Sequence, residues 1–433
     1  MIGVRAVVTV GLALALVATK MAAQQTQLEI TLAEAVRRAL DVQPAMVQAR
    51  GDVRNAGASK RSALGAYLPT VSTSASSSRT SQAHFDPNSA TRLPPGSYVY
   101  AGGLSASLQL FDGFSRIANL KAAAATQDAA GAGLVSQQYL TTYNTEQLFF
   151  TALANDELVR VAEAQLQRTR EELQIAVNKF QAGAATRSDT LTATVDQGNA
   201  QLALLQARAN LATAQANLGR QVGVDRPVRA VPDTALPGLP DTTALRASAL
   251  QTAPVVDQAE ARASAARALT WSTRSQYWPS LFVSYSDSRT GTGSPQLPLF
   301  GSYPETFSWR FGLSWTLFNG FQREQSQVSA NVTRDIAVAQ AADTRRQVNA
   351  QLTQYLAALF TAYAQIGITG ANVAAATEAL RVTQERYRLG AGTLLDLLTA
   401  EANMTQAQVN RVQARYNYLI ARAQVEALVG HPL

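Results

Sequence analysis

The feature that most constrains this chain is an internal duplication. Leu110–Phe114 reads Leu-Phe-Asp-Gly-Phe, and Leu317–Phe321 reads Leu-Phe-Asn-Gly-Phe. Seventy-two residues after the first phenylalanine of each turn comes a further glycine, Gly183 or Gly390, and the two copies keep a constant offset of 207 residues. Such a register predicts that one structural unit is present twice in the chain.

Each duplicated stretch is predicted to be a single long helix. Of the fifteen prolines, none lies between Pro95 and Pro227 or between Pro304 and Pro432. Large apolar residues recur every seven positions in both stretches, which is typical of coiled-coil-like packing. They are Val159, Leu166, Leu173 and Phe180 in the first copy and Ile366, Val373, Leu380 and Tyr387 in the second. A helix from Gly113 to Ala182 would be roughly 100 Å long, which is too long for an ordinary globular domain.

A β-hairpin with one apolar face is predicted before each long helix. In the second copy the apolar residues that alternate with polar ones are Phe307, Trp309, Phe311, Leu313 and Trp315. Such a face packs on a second sheet or faces lipid. Because a membrane barrel needs at least about eight strands, the four strands of one chain would form a barrel only with strands of other chains.

The order of elements is the same in both halves: a leading helix, a hairpin, a long helix and a shorter return helix. Thr31 is predicted to cap the first leading helix, with Glu34 at the capping-box spacing, and Pro44 to kink or break that helix. The expected domains are a first repeat at 24–224, a proline-rich crossover linker at 225–241 and a second repeat at 242–433.

Residues 1–23 are predicted to be a secretory signal peptide, because Arg5 precedes a short apolar core at 6–18. The chain has no cysteine, which excludes disulfides and thiol chemistry. The only two histidines, His84 and His431, do not make a metal-ligand cluster, so neither a metal nor a cofactor is expected. The net charge of +7 is spread along the chain without a nucleic-acid motif, so nucleic-acid binding is not expected.

The paired Asp/Asn-Gly turns and the paired turns around Gly183 and Gly390 together resemble those of the TolC-like outer-membrane efflux protein family. The resemblance covers essentially the whole mature chain. It implies a mixed but mainly α fold, in which a long coiled-coil helical barrel continues into a transmembrane β-barrel. Each protomer would supply four strands and about six helices to a homotrimer. The implied location is the outer membrane of a Gram-negative bacterium, with a helical tunnel in the periplasm.

The function that this resemblance implies is that of a passive exit duct in a tripartite efflux or type I secretion system. The implied partners are a periplasmic adaptor (membrane fusion) protein, an inner-membrane pump of the RND, ABC or MFS type, and outer-membrane lipid. The residues alone leave one alternative open, a secreted coiled-coil structural or interaction protein. Enzymatic activity is not expected, because serine and threonine lack a histidine partner in any motif spacing.

The resemblance also implies a gate at the periplasmic end. Asp396 is similar to the family's aspartate ring at the constriction, and Asp189 and Tyr387 are similar to the network that holds the tip closed. Gly183 and Gly390 are expected to form the tip turns, since glycine adopts the left-handed backbone of a helix end without strain.

Each of the two aspartates lies six residues after its glycine, so each also fits a helix N-terminus favoured by the helix dipole. Gly392 and Thr399 stand where the family can carry a gating arginine and a second ring aspartate, which predicts weaker closure. The hairpin-to-helix turns are expected at Asp112, Gly113, Asn319 and Gly320.

Overall fold

The computed structural model describes residues 28–79, 81, 83–86, 90–93, 98–232, 236–241, 243, 245–246, 251–292 and 303–433. The predicted signal peptide lies outside the described residues. The protein is mainly helical, at 71%. The chain divides into two compact units, and each draws on both sequence halves. The helical unit comprises Met1–Gln48, Val135–Ala253 and Val348–Leu433, and the sheet unit comprises Ala49–Leu134 and Pro254–Gln347.

The two predicted long helices are present and are equal in length, at 67 residues each. In chain order the elements are β1 (Leu28–Ile30), α1 (Leu32–Val42), α2 (Pro44–Gly65), β2 (Thr70–Arg79), β3 (His84–Asp86), β4 (Thr91–Leu93), β5 (Tyr98–Phe111), α3 (Ser115–Gln181), α4 (Arg187–Gln221), β6 (Val228–Ala230), α5 (Pro254–Arg274), a 3₁₀ turn (Ser275–Tyr277), β7 (Ser280–Thr292), β8 (Glu305–Ser314), α6 (Gln322–Arg388) and α7 (Leu394–Val429).

The leading helix of the first repeat is broken rather than kinked, with α1 ending at Val42 and α2 beginning at Pro44. Thr31 caps α1 as predicted, since its side chain accepts a hydrogen bond from the Glu34 backbone N–H. The Glu34 carboxylate does not complete a capping box. It binds Arg37 and Arg38 one turn further on, because two guanidinium groups attract the carboxylate more strongly than one backbone donor.

In the helical unit, contacts connect the helices in the order α4, α3, α7, α6. An apolar cluster that includes Leu166 and Leu204 joins α3 to α4, and one that includes Leu380 and Leu397 joins α6 to α7. The contact between α3 and α7 includes polar bonds, described below, as well as apolar packing. The largest cluster includes Phe149 and gathers α3, α4 and α7 around the parallel pair of β1 and β6.

Among the described residues, the sheet unit contains a four-stranded antiparallel sheet of order β2-β5-β7-β8 and a separate antiparallel pair of β3 and β4. The two predicted hairpins therefore pair with each other through β5 and β7, and β2 and β8 form the two edges of this sheet. A register shift between Gln109 and Phe111 marks a bulge where β5 approaches its end.

The apolar side chains predicted on the last strand are exposed in the single chain. Phe311 is 75% exposed, and its neighbours on the same face are similar. Leu313 pairs with Leu281 and Phe311 with Val283, so the apolar face continues onto β7. The predicted strand is one residue too long: Trp315 lies beyond β8, and its indole N–H donates to the Tyr277 carbonyl over 3.2 Å.

The hairpin-to-helix turns form where expected, and each is supported by an arginine that the sequence analysis did not identify. Gly113 and Gly320 have φ angles of 65° and 66°. Arg116 donates from its backbone to the Asp112 carboxylate at 2.9 Å, and its guanidinium donates to the carbonyl at the end of β5. Arg323 occupies the equivalent place in the second copy and donates to Leu317 at 2.9 Å.

One helix of the described part of the chain, α6, is long and apolar enough to meet the requirements for a membrane-crossing helix. Only 17% of its most apolar segment is buried, and three leucines account for part of the buried surface of this helix. Leu352, Leu356 and Leu359 are buried against α7 in a cluster with Tyr418 and Val425.

The two turn glycines give a matched test of strain against crowding. We expect Gly320→Ala to lose about 1–2 kcal/mol of stability from the left-handed backbone alone, because nothing lies within 4 Å of an added Cβ. Gly113→Ala has the same backbone penalty, and its Cβ would lie 2.6 Å from the Ser275 carbonyl oxygen, so overpacking adds about 1–3 kcal/mol. Thermal unfolding in detergent measures both changes. Equal losses would contradict this account of the first turn.

Candidate functional site

The tip turns of the helical unit are built as predicted around two left-handed glycines. Gly183 and Gly390 have φ angles of 73° and 77°. In each turn the glycine N–H bonds three residues back, and the next N–H bonds five residues back over 2.8 Å. This is the Schellman arrangement that satisfies the last carbonyls of a helix. Two closely similar helix-turn-helix tips follow from the duplicated sequence.

The two candidate aspartates both close capping boxes. Thr186 accepts from the Asp189 N–H over 3.2 Å, and the Asp189 carboxylate accepts from the Thr186 N–H over 2.8 Å. Asp396 and Thr393 repeat this arrangement with both distances at 3.1 Å. The bonds from Thr393 hold the pKa of Asp396 below its usual value. Each aspartate thus stabilises the first turn of its helix, which is the structural role that the sequence left open beside the gate role.

Asp396 also lines an open groove between α6 and α7. The groove has a volume of about 400 Å³ and is shared with Arg386, Gly392 and Thr399. The two positions that depart from the family pattern therefore line the same groove as Asp396. Asp396 is exposed in this groove, and the positive charge of Arg386 makes a smaller contribution to lowering its pKa.

Tyr387 makes a different set of contacts from those the sequence predicts. The ring is buried, and the Lys179 ammonium nitrogen lies 3.8 Å from its centroid, a cation–π contact. Lys179 also donates to the Tyr387 carbonyl. The phenol oxygen has no hydrogen-bond partner among the described residues. Burial and the negative charge of Asp189 raise the pKa of Tyr387, so the structure brings Asp189, Tyr387 and Lys179 together.

The contact between α3 and α7, which joins the two repeats, combines the apolar cluster around Phe149 with polar bonds that were not predicted. Glu157 of α3 accepts from the Tyr416 hydroxyl over 2.8 Å and contacts Arg415 at 3.4 Å. Further along, Arg168 donates to the Thr405 hydroxyl over 3.3 Å. Burial, followed by the bond to Glu157, raises the pKa of Tyr416. No motif marks this contact, since it emerges only when the register of the two helices is known.

The fold agrees with the similarity of this chain to known proteins. Residues 35–224 and 245–431 match the family described as "Outer membrane efflux protein". Because these residues make up most of the chain, the chain belongs to the outer membrane efflux protein family. Members of this family are channels and not enzymes.

Individual relatives are distant in sequence and similar in fold. The chain is 24% identical over 407 residues to the outer membrane efflux protein BepC of Brucella suis, which covers 92% of this chain and 84% of that protein. The solved structure of VceC from Vibrio cholerae has a TM-score of 0.77 at 19% identity and covers 93% of this chain and 96% of its own. CmeC from Campylobacter jejuni has a TM-score of 0.78 at 19% identity, with coverages of 92% and 85%.

The caps can be tested apart from any role in a gate. Thr393→Ala removes the side chain that caps α7, and we expect a local loss of about 1 kcal/mol. Amide hydrogen exchange in the first turn of α7 should then be about fivefold faster, since protection there reports local opening. Thr399→Ala is the control, because the Thr399 hydroxyl only bonds back to the Leu395 carbonyl of its own helix. Unchanged exchange in Thr393→Ala would show that the cap does not hold this helix start.

Proposed function

We propose that this chain forms the exit duct of a tripartite efflux or secretion system, and that three copies close it. The observation that supports this most strongly is that the protomer has two open edges in each unit. In the helical unit the edges are α4 and α6, and in the sheet the edges are β2 and β8. An edge strand has unpaired backbone groups that can bind another chain, and a second copy of the same chain can provide the partner.

Both edge helices have an apolar row facing away from the protomer. The exposed row of α4 comprises Leu191, Val195, Leu202 and Leu205, and that of α6 comprises Ile368, Val382 and Leu389. Val195 and Val382 each follow a buried residue, Ala193 and Leu380, by two positions. Two residues correspond to about 200° around a helix, so each exposed row is nearly opposite the packed one. A helix with two opposite apolar rows fits between two neighbours.

The strand count permits a dimer or a trimer. Four strands per chain give eight in a dimer and twelve in a trimer, and both reach the lower limit of about eight. The family resemblance selects twelve. In a closed barrel every backbone donor and acceptor of the edge strands is paired, as a position in lipid requires.

The exposed face of β7 and β8 fits contact with lipid. Its apolar rows end toward the loops in a charged group, where Arg289 contacts Glu305 at 3.2 Å and Asp287 at 3.9 Å. Apolar rows bounded by charged and aromatic side chains are typical of a strand that crosses a bilayer. A secreted coiled-coil protein, the alternative, gives no use to a large exposed aromatic face.

The tip of the helical unit is the proposed gate and docking end. Three copies of Asp396 would form a ring of like charges at the constriction, with Asp189 and Tyr387 in the contacts that hold it closed. A periplasmic adaptor would dock at the turns around Gly183 and Gly390. An inner-membrane pump of the RND, ABC or MFS type would supply the energy.

The lipid-facing assignment can be tested with one substitution at two positions. Phe311→Arg should cost about 2–4 kcal/mol if the residue lies near the bilayer midplane. Ser308→Arg places the same side chain on the opposite face of β8 and should be tolerated. The folded fraction in lipid vesicles, read from heat-modifiable mobility on SDS gels, measures both. Equal damage from the two changes would place this strand in a protein core.

The gate can be tested by separating charge from capping. Asp396→Asn keeps an oxygen that can accept the Thr393 N–H, whereas Asp396→Ala removes both the cap and the charge. If three carboxylates surround the constriction, both variants should weaken block by trivalent cations at least about tenfold in planar bilayers. Asp343→Asn, at an exposed position paired with Arg346, is the control. Block that persists in Asp396→Asn would reduce Asp396 to a helix-start residue.

A further inference from the structure

Two layers of glutamates lie in the contact between α3 and α7, which we call the repeat seam. Its antiparallel register is fixed by the bonds from Arg168 to Thr405 and from Tyr416 to Glu157. Moving one residue toward the C-terminus of α3 therefore corresponds to moving one residue toward the N-terminus of α7. The contacts of α3 with α4 and of α6 with α7 contain apolar clusters, and so does the repeat seam. What distinguishes the repeat seam is that two of its glutamates are buried.

The first layer contains Glu172 and Glu401. Glu172 lies four residues after Arg168 and Glu401 four residues before Thr405, so the register places them at one level. They are 4% and 6% exposed. One carboxylate oxygen of each has no hydrogen-bond partner among the described residues, and neither does the Arg168 Nε. One guanidinium thus lies in a buried layer with two carboxyl groups.

The second layer repeats this composition nearer the other end of α7. Glu146 lies on α3 at the level of Glu426, and Arg422 is one turn from Glu426. Glu426 accepts from the Arg422 Nε over 3.1 Å and from the Leu433 backbone N–H over 3.2 Å. Its charge is therefore already satisfied. The half-buried Glu146 is left to face a carboxylate across the seam.

Few other charges face these layers. On the α6 side, Glu378 and Arg381 form an exposed pair with each other, and no charged residue occurs between Val348 and Thr377. On the α4 side, Asp196 adds a further carboxyl group, and one of its oxygens is buried without a partner among the described residues. Among the described residues, the guanidinium that acts on Glu401 is that of Arg168, and the one that acts on Glu146 is that of Arg422. Each layer therefore has one such guanidinium for two glutamates.

Desolvation and like charge both favour the neutral form of a carboxyl group. Burial raises the pKa of Glu401 to about 7 against the opposing effect of Arg168. Burial, followed by the charge of Glu426, raises the pKa of Glu146 to about 7, with Arg422 acting in the opposite direction. Both values lie well above 4.5, the ordinary value of a glutamate.

We propose that the two glutamate layers are proton-binding sites, each holding one proton near neutral pH, and that they link the strength of the repeat seam to pH. A proton on Glu401 removes a buried charge and makes this group a hydrogen-bond donor that Glu172, at the same level, can accept. A proton on Glu146 does the same toward Glu426. Acid therefore tightens the contact between the two repeats, and alkali loosens it.

The folded state binds these protons more tightly than the unfolded state does, because the pKa values of Glu401 and Glu146 are raised on folding. This sets the direction in which stability depends on pH. The stabilisation is fully present below about pH 4.5 and is lost as pH rises through about 7. A motion that parts α3 from α7 would release the protons. This last consequence rests on the proposed duct function, whereas the linkage to stability does not.

The experiment uses the full-length protein in detergent and compares wild type with Glu146→Gln, Glu401→Gln and the double variant. Glutamine imitates the neutral carboxyl group in size and charge. Between pH 5.5 and 8.5 the wild-type unfolding equilibrium constant should rise by about one to two orders of magnitude per site. The double variant should lose most of that slope and be more stable than wild type at pH 8.5. Glu385→Gln, which alters an exposed pair with Arg388, should keep the wild-type slope.

Difference infrared spectroscopy supplies a readout that does not depend on unfolding. Wild type should show a protonated carboxyl band that disappears between pH 6 and 8, and Glu401→Gln and Glu146→Gln should each remove part of it. The proposal is overturned if the double variant keeps the full band or the full pH slope. Loss of channel conductance with an intact carboxyl titration would refute the duct and leave the proton sites standing.

Discussion

The unpaired edge is the constraint on which the rest of this structure depends. The four helices contact one another in the order α4, α3, α7, α6, so α4 and α6 each lack a neighbour on one side. The four-stranded sheet likewise ends in β2 and β8. In lipid, an open sheet edge leaves backbone donors and acceptors without partners, each at a cost of several kcal/mol. The apolar rows on α4 and α6 give the helical unit the same requirement. The proposed association with copies of the same chain would satisfy both requirements.

The duplication separates contacts within a repeat from the contact between repeats. Each repeat supplies a long helix and its return helix, and these pack through apolar clusters such as that of Leu166 with Leu204. The contact between repeats has no equivalent within a single repeat. It combines the apolar cluster around Phe149 with Glu157, Arg168 and the buried Glu401. The polar part of such a contact depends on geometry and protonation more strongly than the apolar part.

Residues that determine backbone geometry could be predicted from the sequence. Gly183 and Gly390 were identified because a left-handed turn after a long helix has few solutions, and the hairpins because their apolar residues alternate. The threonine caps Thr186 and Thr393 were missed, although a threonine three residues before an aspartate is a readable signal. Trp315 was placed in a strand because alternation continues past the last ladder pair.

Residues that act through long-range register could not be predicted. Glu172 and Glu401 are 229 positions apart in the sequence, and only the packed helices place them at one level. The contact between Lys179 and Tyr387 has the same origin. Arg116 and Arg323 lie near the predicted turns. Their guanidinium groups bind the carbonyls of Leu110 and Leu317, and the positions of these carbonyls depend on how the chain leaves the strands. A sequence pattern indicates whether one face of a helix is buried or exposed. A site formed between two helices also depends on which faces meet and in which register.

Closure by three copies is the central claim, and interchain cross-linking tests it most directly. The contacts from α4 to α3, from α3 to α7 and from α7 to α6 place Val195 within about one helical turn of the level of Val382. Rotation about a threefold axis does not change the position of a residue along that axis. Val195 of one copy would therefore lie near the level of Val382 in the next copy. The chain has no cysteine, so Val195→Cys combined with Val382→Cys gives a clean background. The Thr377→Cys and Met404→Cys pair, whose native side chains are 3.5 Å apart within one chain, is the control. A ladder of one, two and three chains with nothing larger is the predicted result. Cross-linked species beyond three, or monomers alone while the control pair reacts, would contradict the account.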